Sequence, residues 1–274
     1  MRNEIPVRTG LWTAPKFWQN AAAFLRQKPL GAAGMEHYRH ELKYRISYAE
    51  KAALEVRMKP LLQYDRHAGQ GGYLIRSLYF DDYWNSAYEE KNAGVLLRKK
   101  YRIRIYDLSD RLIKLERKKK YDSYICKEDA VLTRAELEQI LAGDYAFLLH
   151  SPQPLCRDFY YECVSQMLRP RVIVDYDREP WVMEAGTVRI TFDQRIRAAT
   201  GSWDLFDPTL PTLPVLGPDE LVMEVKFTEF LPQLIRTLLP PKAQELTAVS
   251  KYVLCCEKTA YLHGFAYGNE AGKE

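Results

Sequence analysis

From residue 39 onward the chain alternates apolar and polar side chains with a period of two. That spacing puts one set of side chains on each face of a β-strand. In RHELKYRI (39–46), Arg39, Glu41, Lys43 and Arg45 share one face, and His40, Leu42, Tyr44 and Ile46 the other. YLIRSLYFDD (73–82) follows a turn rich in glycine, Gly69, Gly71 and Gly72. KKYRIRIYD (99–107) opposes Arg102, Arg104 and Tyr106 to Ile103 and Ile105. IKLERKKK (113–120) opposes Lys114, Glu116 and Lys118 to Ile113, Leu115 and Arg117, and a short turn around Ser109 and Asp110 predicts a hairpin between these two runs. RPRVIVDYDR (169–178) and TVRITFDQRIR (187–197) predict a second antiparallel pair, and ELVMEVKFTEF (220–230) sets Glu224, Lys226 and Thr228 against Met223, Val225 and Phe227. Helices are predicted between the strands at 47–62, 133–143, 156–168, 232–239 and 247–264, with Thr133 and Glu136 forming a capping box.

The polar faces are unusual. A half-solvated sheet carries mixed Thr, Ser, Gln, Glu and Lys, yet here lysine and arginine dominate, with single carboxylates among them. Between Arg98 and Lys120 stand eleven basic residues and three acidic ones. One such strand is an ordinary solvated face. Five that share an interior would make a closed barrel with a cationic lumen, and unpaired cations withdrawn from water cost several kcal/mol each. Such a lumen implies a bound polyanion. In this arrangement Lys114 and Lys118 face the anion, and Arg117 and Lys119 point away.

Composition narrows the field. The 274 residues are 47% apolar and 28% charged, which is globular, and no apolar run approaches the roughly 18–20 residues of a membrane span. Residues 1–34 mix apolar, aromatic and basic side chains without the uninterrupted core of a signal peptide. They read as a short helix and linker, with Met35 a candidate alternative start. Five cysteines show no CxxC and no framework spacing, which implies reduced thiols in a cytoplasmic protein. Five scattered histidines form no HExxH, so a metal here would be held by carboxylates, which favours Mg²⁺ or Mn²⁺. The net charge of +4 is modest, and its distribution carries the signal.

Arginine offers a planar fork to phosphate oxygens and lysine a mobile point charge, so the cation field suits phosphate. Phosphoryl transfer asks the protein for positioning and charge neutralisation. Glu224 and Glu116, each on a basic face, are the candidate metal ligands, with ion pairing to neighbouring lysines as the plainer role. No GxxxxGK[ST], GxGxxG or GxSxG occurs. Single-stranded nucleic acid is disfavoured as partner, because most of the aromatic residues fall on apolar faces.

The runs RHELKY, SLYFDD, RKKYRIRIY, KLERKKK, DYDREPW, VRITFDQRIR, MEVKF and SKY together resemble, in order, the VTC domain. That is the polyphosphate polymerase domain of the vacuolar transporter chaperone complex and its bacterial relatives, within the CYTH-like triphosphate tunnel metalloenzyme superfamily. The resemblance covers roughly residues 36–262. It implies an α+β fold built on an eight-stranded antiparallel tunnel that binds ATP and polyphosphate with Mn²⁺ or Mg²⁺. The implied activity is transfer of the γ-phosphate of ATP to a growing chain.

By motif, the resemblance implies phosphate contacts from Lys43, Arg102, Arg104, Lys118, Arg178, Arg189, Lys226 and Lys251. Arg39, Lys114, Lys127 and Ser250 would add substrate contacts, and Glu224, Glu116 and Glu41 would hold metal. Hydrolytic tunnel enzymes begin with an ExExK strand, where two glutamates help to hold metal and activate water. Here the equivalent positions are Arg39, Glu41 and Lys43, which favours chain transfer. The expected organisation is an extension (1–34), one tunnel domain (35–265) and a tail (266–274), in a stand-alone enzyme of bacterial type. The alternatives are an inorganic or organic triphosphatase, and a sensor that binds polyphosphate or RNA without turnover.

Overall fold

In a computed structural model of the chain, the described residues are 40–263 apart from 67, 70, 122–123, 185–186, 229 and 240–248. Arg39, the expected extension 1–34 and the expected tail 266–274 lie outside them. The strands are β1 (His40–Ser47), β2 (Gln63–Tyr64), β3 (Tyr73–Asp81), β4 (Leu97–Tyr106), β5 (Ser109–Tyr121), β6 (Tyr124–Leu132), β7 (Arg169–Met183), β8 (Val188–Ala199), β9 (Thr212–Pro214) and β10 (Glu220–Phe227). Eight of them pair antiparallel in the order β1-β10-β8-β7-β3-β4-β5-β6, with β2 added to β7 and β9 to β8. The helices are α1 (Tyr48–Met58), α2 (Ser86–Asn92), α3 (Arg134–Leu141), α4 (Pro154–Ser165), α5 (Gln233–Leu238) and α6 (Lys251–Lys258). The mixed α+β class and the eight-strand path are as expected.

The expected closed barrel is corrected in one respect. Among the described residues the edge strands β1 and β6 form no ladder, so the sheet is not closed by its main chain. Charged side chains at both edges account for this: Glu41 and Lys43 stand on β1, and Lys127 and Asp129 on β6. Inward-pointing charge at an edge opposes further strand pairing. Side chains bridge the gap instead, with Lys118 of β5 donating to Glu41 of β1 at 2.7 Å.

Period-two alternation sorts the core. Leu78, Phe80, Ile103, Ile105, Ile113 and Leu115 point outward and pack with residues of α3 and α4 such as Leu137, Ile140 and Phe159. On the other half, Tyr44, Ile190, Phe192, Met223 and Val225 pack against Leu54, Met58 and Ile235 of α1 and α5. A third cluster uses the opposite face: Ile75, Val174 and Val222, with Ile196 brought to that face by the β7–β8 register shift, bury Tyr252, Val253 and Cys256 of α6. The face that carries the cations elsewhere therefore seats α6 over part of its length.

Local chemistry moves several predicted boundaries. The β4–β5 turn is at Asp107 and Leu108, both at positive φ as a two-residue I′ hairpin requires, so Ser109 and Asp110 belong to β5. Helix α1 stops at Met58, before Pro60, although its start carries a full Ser47–Glu50 capping box. Helix α4 begins earlier than expected, at Pro154, a residue suited to the first turn, and ends at Ser165. Helix α6 spans only 251–258, because Ser250 caps it by accepting from Val253 N–H. No helix of the described residues is long and apolar enough to cross a membrane.

Candidate anion-binding cavity

The basic faces of β1, β4, β5, β6, β7 and β10 enclose, with α2 and α6, a cavity of about 210 Å³. Twelve lysines and arginines line it against three carboxylates, Glu41, Glu116 and Glu224. An excess of this size selects for anions, and the low-dielectric walls strengthen that preference.

Arginines build one wall. Arg102 donates to Glu116 at 2.6 Å and to the Tyr79 hydroxyl at 2.8 Å. Arg104 donates to Ser77 at 3.1 Å and to the Tyr176 hydroxyl at 3.2 Å. Register explains the grouping, because Ser77, Arg104 and Lys114 stand opposite one another across β3, β4 and β5, as do Tyr79, Arg102 and Glu116. Glu116 is 1% exposed, and Lys127 approaches it at 2.5 Å. Burial alone would raise its carboxyl pKa, but Arg102, Arg104 and Lys127 outweigh burial and hold it far below the usual range. Deeper still, Arg178 binds Asp193 through two nitrogens at 2.6 and 2.7 Å and reaches Glu224 at 3.1 Å. Lys251 closes on Asp193 at 2.6 Å.

Lysines build the other wall. Lys43 lies 3.1 Å from Glu41 and 4.0 Å from Glu224, Lys118 lies 2.7 Å from Glu41, and Lys226 lies 3.5 Å from Glu224. Burial pushes Lys118 down to about 7, against the pull of Glu41. Burial does the same to Lys226 and to Lys100. Glu41 would be raised by burial, yet Lys43, Lys118 and Lys226 hold it well below the carboxylate range.

The structure gathers most of the candidate residues at this cavity: Lys43, Arg102, Arg104, Lys118, Arg178, Lys226, Lys251, Lys127, Ser250 and the three glutamates. Two are not among its lining residues. Lys114 shares the inward face of β5 but pairs with Asp129 at 3.1 Å. Arg189 pairs with Asp65 at 3.0 Å and donates to the Tyr73 hydroxyl at 3.2 Å. Arg117 and Lys119 turn outward to Glu128, as the alternation requires.

Several cavity residues were not singled out from the sequence. Lys100 and Lys120 share the parity of Arg102 and Lys118, so alternation alone would have found them. Tyr79 has the parity that faces Arg102, and Asp193, which holds the lining residues Arg178 and Lys251 without lining the cavity itself, follows Arg189 and Thr191 along one face of β8. Lys91 carries no such signal, because it stands on α2, a short helix outside the strand alternation, whose N-terminal amides Ala87 N–H and Tyr88 N–H donate to Asp81 at the end of β3.

Among the described residues no three Asp, Glu, His or Cys side chains converge as a metal cage. The Lys43 ammonium sits between Glu41 and Glu224, so these two carboxylates already frame a cation. All their donors are oxygen. The pair fits a Mg²⁺-type ion that takes one or two carboxylates and completes its shell with phosphate and water.

Comparison with known proteins adds the following. The family model described as the VTC domain matches residues 38–260. No curated protein matches the chain. Solved structures similar to it include a Bacillus halodurans protein provisionally described as an adenylate cyclase, at 14% identity and a TM-score of 0.46, covering 77% of this chain and 97% of that one. A Pyrococcus horikoshii protein is similar at 10% identity and a TM-score of 0.45, covering 79% and 98% of the two chains.

Proposed function

The chain belongs to the VTC domain family, and on that premise we propose that it is an ATP-dependent polyphosphate polymerase. The observation that carries this reading is the cavity itself, where twelve cations surround three carboxylates and Arg102 and Arg104 point inward from one strand. In the proposed reaction a terminal phosphate oxygen of the bound chain attacks the γ-phosphorus of ATP, and ADP leaves. Two polyanions must meet for this, and their repulsion is the barrier that the protein can lower. The arginine wall fixes phosphate oxygens through forks already held by Glu116, Tyr79 and Tyr176. The lysine wall neutralises charge, and its groups near pKa 7 gain protons as an anion enters. Glu224 and Glu41 would hold Mn²⁺ or Mg²⁺, which when bound withdraws charge from the phosphates.

The test is direct. Purified protein with ATP and Mn²⁺ should yield ADP and chains that an exopolyphosphatase digests. Free phosphate as the sole product would instead support a triphosphatase. Tight binding of polyphosphate without any turnover would support a sensor.

A further inference from the structure

Among the twelve cavity cations, Lys100 keeps unusual company. No carboxylate of the described residues lies within ion-pair distance of its ammonium nitrogen, which instead meets the Ser250 hydroxyl at 3.4 Å and the face of Tyr252 at 4.5 Å. Both residues line the cavity. A hydroxyl beside a lysine is the arrangement of Ser–Lys nucleophilic pairs.

We propose that Ser250 is a phosphoryl acceptor, phosphorylated on Oγ by the terminal phosphate of a nucleoside triphosphate bound in the cavity, with Lys100 as the base. The proposal rests on the reading of ATP as donor. In this step the Ser250 Oγ–P bond forms and the bond from that phosphorus to the bridging oxygen of the diphosphate breaks. The leaving diphosphate keeps the electron pair, and the hydroxyl proton passes to Lys100 Nζ. The step needs no redox partner.

Three further observations agree with it. Burial lowers Lys100 to about 7 in the anion-free protein, and no carboxylate of the described residues holds a proton on it as Glu41 and Glu224 do on Lys118 and Lys226, so it is the cavity lysine best placed to be a neutral amine that can take one. The groups that act on it are Asp81 of β3 and Cys256 of α6, which raise its pKa, and Lys91 of α2 and Lys43 of β1, which lower it. Lys118 stands directly opposite on β5. Ser250 is also the N-cap of α6, its hydroxyl accepting from Val253 N–H, so its phosphate would sit at a helix N-terminus, where a phosphoryl group is favoured. Finally, Lys251 follows at once and lines the same cavity. A phosphoserine there would present a fixed phosphate to the next incoming donor, which is a starting point for a chain.

The experiment is incubation with γ-labelled ATP and Mn²⁺, followed by denaturation, measurement of label on protein and of polymer in solution, and peptide mapping. The expected result is acid-stable, alkali-labile label on the peptide that contains Ser250. Ser250→Asn retains an N-capping side chain without the hydroxyl and should lose the label, while Ser250→Thr should keep it. Lys100→Arg keeps the charge but cannot act as base, and should slow labelling at least 100-fold at pH 7. Wild-type labelling should rise from pH 6 to pH 8, and the Lys100→Arg variant should lack that rise. Polymer without protein label would overturn this proposal and leave the polymerase reading standing. Label at Ser250 without polymer would uphold it and overturn the polymerase reading. Label that persists in Ser250→Asn, or a Lys100→Arg variant that labels at the wild-type rate, would overturn the pair as drawn.

Discussion

The two walls of the cavity are built with different chemistry. Arg102, Arg104 and Arg178 are each fastened to Glu116, Asp193 or a tyrosine hydroxyl, and arginine stays charged at every working pH. Lys118 and Lys226 meet carboxylates too, yet burial brings both to about 7. The arginine wall is a fixed template, and the lysine wall changes charge with pH. Under the proposed function, a polyanion would take its geometry from the arginines and an adjustable counter-charge from the lysines.

The most drastic way to break this comparison is to remove the template. Replacing Arg102 and Arg104 together with Ala should weaken tripolyphosphate binding at least 100-fold, read by calorimetry, with circular dichroism as the folding control. The matched change of both to Lys keeps the charge and loses the forks, and should recover only part of the affinity. Turnover that survives the double Ala change would mean that this cavity is not where the chemistry occurs.

A somewhat smaller effect is expected where the walls meet. Glu224 touches Arg178 at 3.1 Å and Lys43 at 4.0 Å. Glu224→Gln should lower Mn²⁺-dependent turnover about 100-fold, of the order seen when one electrostatic contributor is removed. Metal-free binding of tripolyphosphate should stay within about threefold of wild type. Loss of both together would assign Glu224 to the template rather than to a cation site.

pH probes the lysine wall. Each lysine that must take up a proton to hold the anion weakens affinity by up to about tenfold per pH unit above its pKa. From pH 7 to 8.5, affinity for a polyphosphate chain should fall at least tenfold, and calorimetry in two buffers should show net proton uptake. Lys118→Met should flatten that slope. Stability of the free protein should move the opposite way. The folded pKa of these lysines lies below the unfolded value of about 10.4, so the unfolded chain binds more protons above pH 7 and stability rises with pH. That rise should end near pH 8.5, where unfolded thiols ionise while buried Cys163 and Cys256 are pushed up to about 12. A melting temperature that falls between pH 7 and 8.5 would contradict the assigned lysine shifts.

Much of this was legible in the sequence, for a physical reason. Side chains on a strand alternate strictly, so the inward set Lys43, Arg102, Arg104, Glu116, Lys118, Glu224 and Lys226 could be read from parity alone. The Thr133–Glu136 capping box was equally local, and it forms as expected. What escaped depends on distance in space. Helix α2 is capped by Asp81, whose carboxylate also receives the Tyr252 hydroxyl from α6, and no short window of sequence contains that arrangement. Nor does alternation tell where along an inward face the cavity ends, which is why Lys114 and Arg189, correct in parity, pair away from it. The open edge between β1 and β6 is likewise a property of two strands far apart in the chain.

The smallest effect on binding is expected from residue 117, and it separates the faces of a single strand. Arg117 and Lys118 are neighbours in β5, but Arg117 points out to Glu128, Asp158 and the Tyr101 hydroxyl, while Lys118 points in to Glu41. Arg117 is nearly buried, whereas its acidic partners are partly exposed. Removing it leaves those carboxylates to water and the Tyr101 hydroxyl without its donor, at a cost of about 1–3 kcal/mol. Arg117→Met should therefore lower the melting temperature by a few degrees and change tripolyphosphate affinity less than twofold. Lys118→Met should do the reverse, because it deletes a cation that folding has to desolvate and that the anion needs. Equal effects of the two changes on binding would show that charge near β5 matters only in sum. Opposite effects would show that the alternation divides this run into one face that holds the fold and one that holds the ligand.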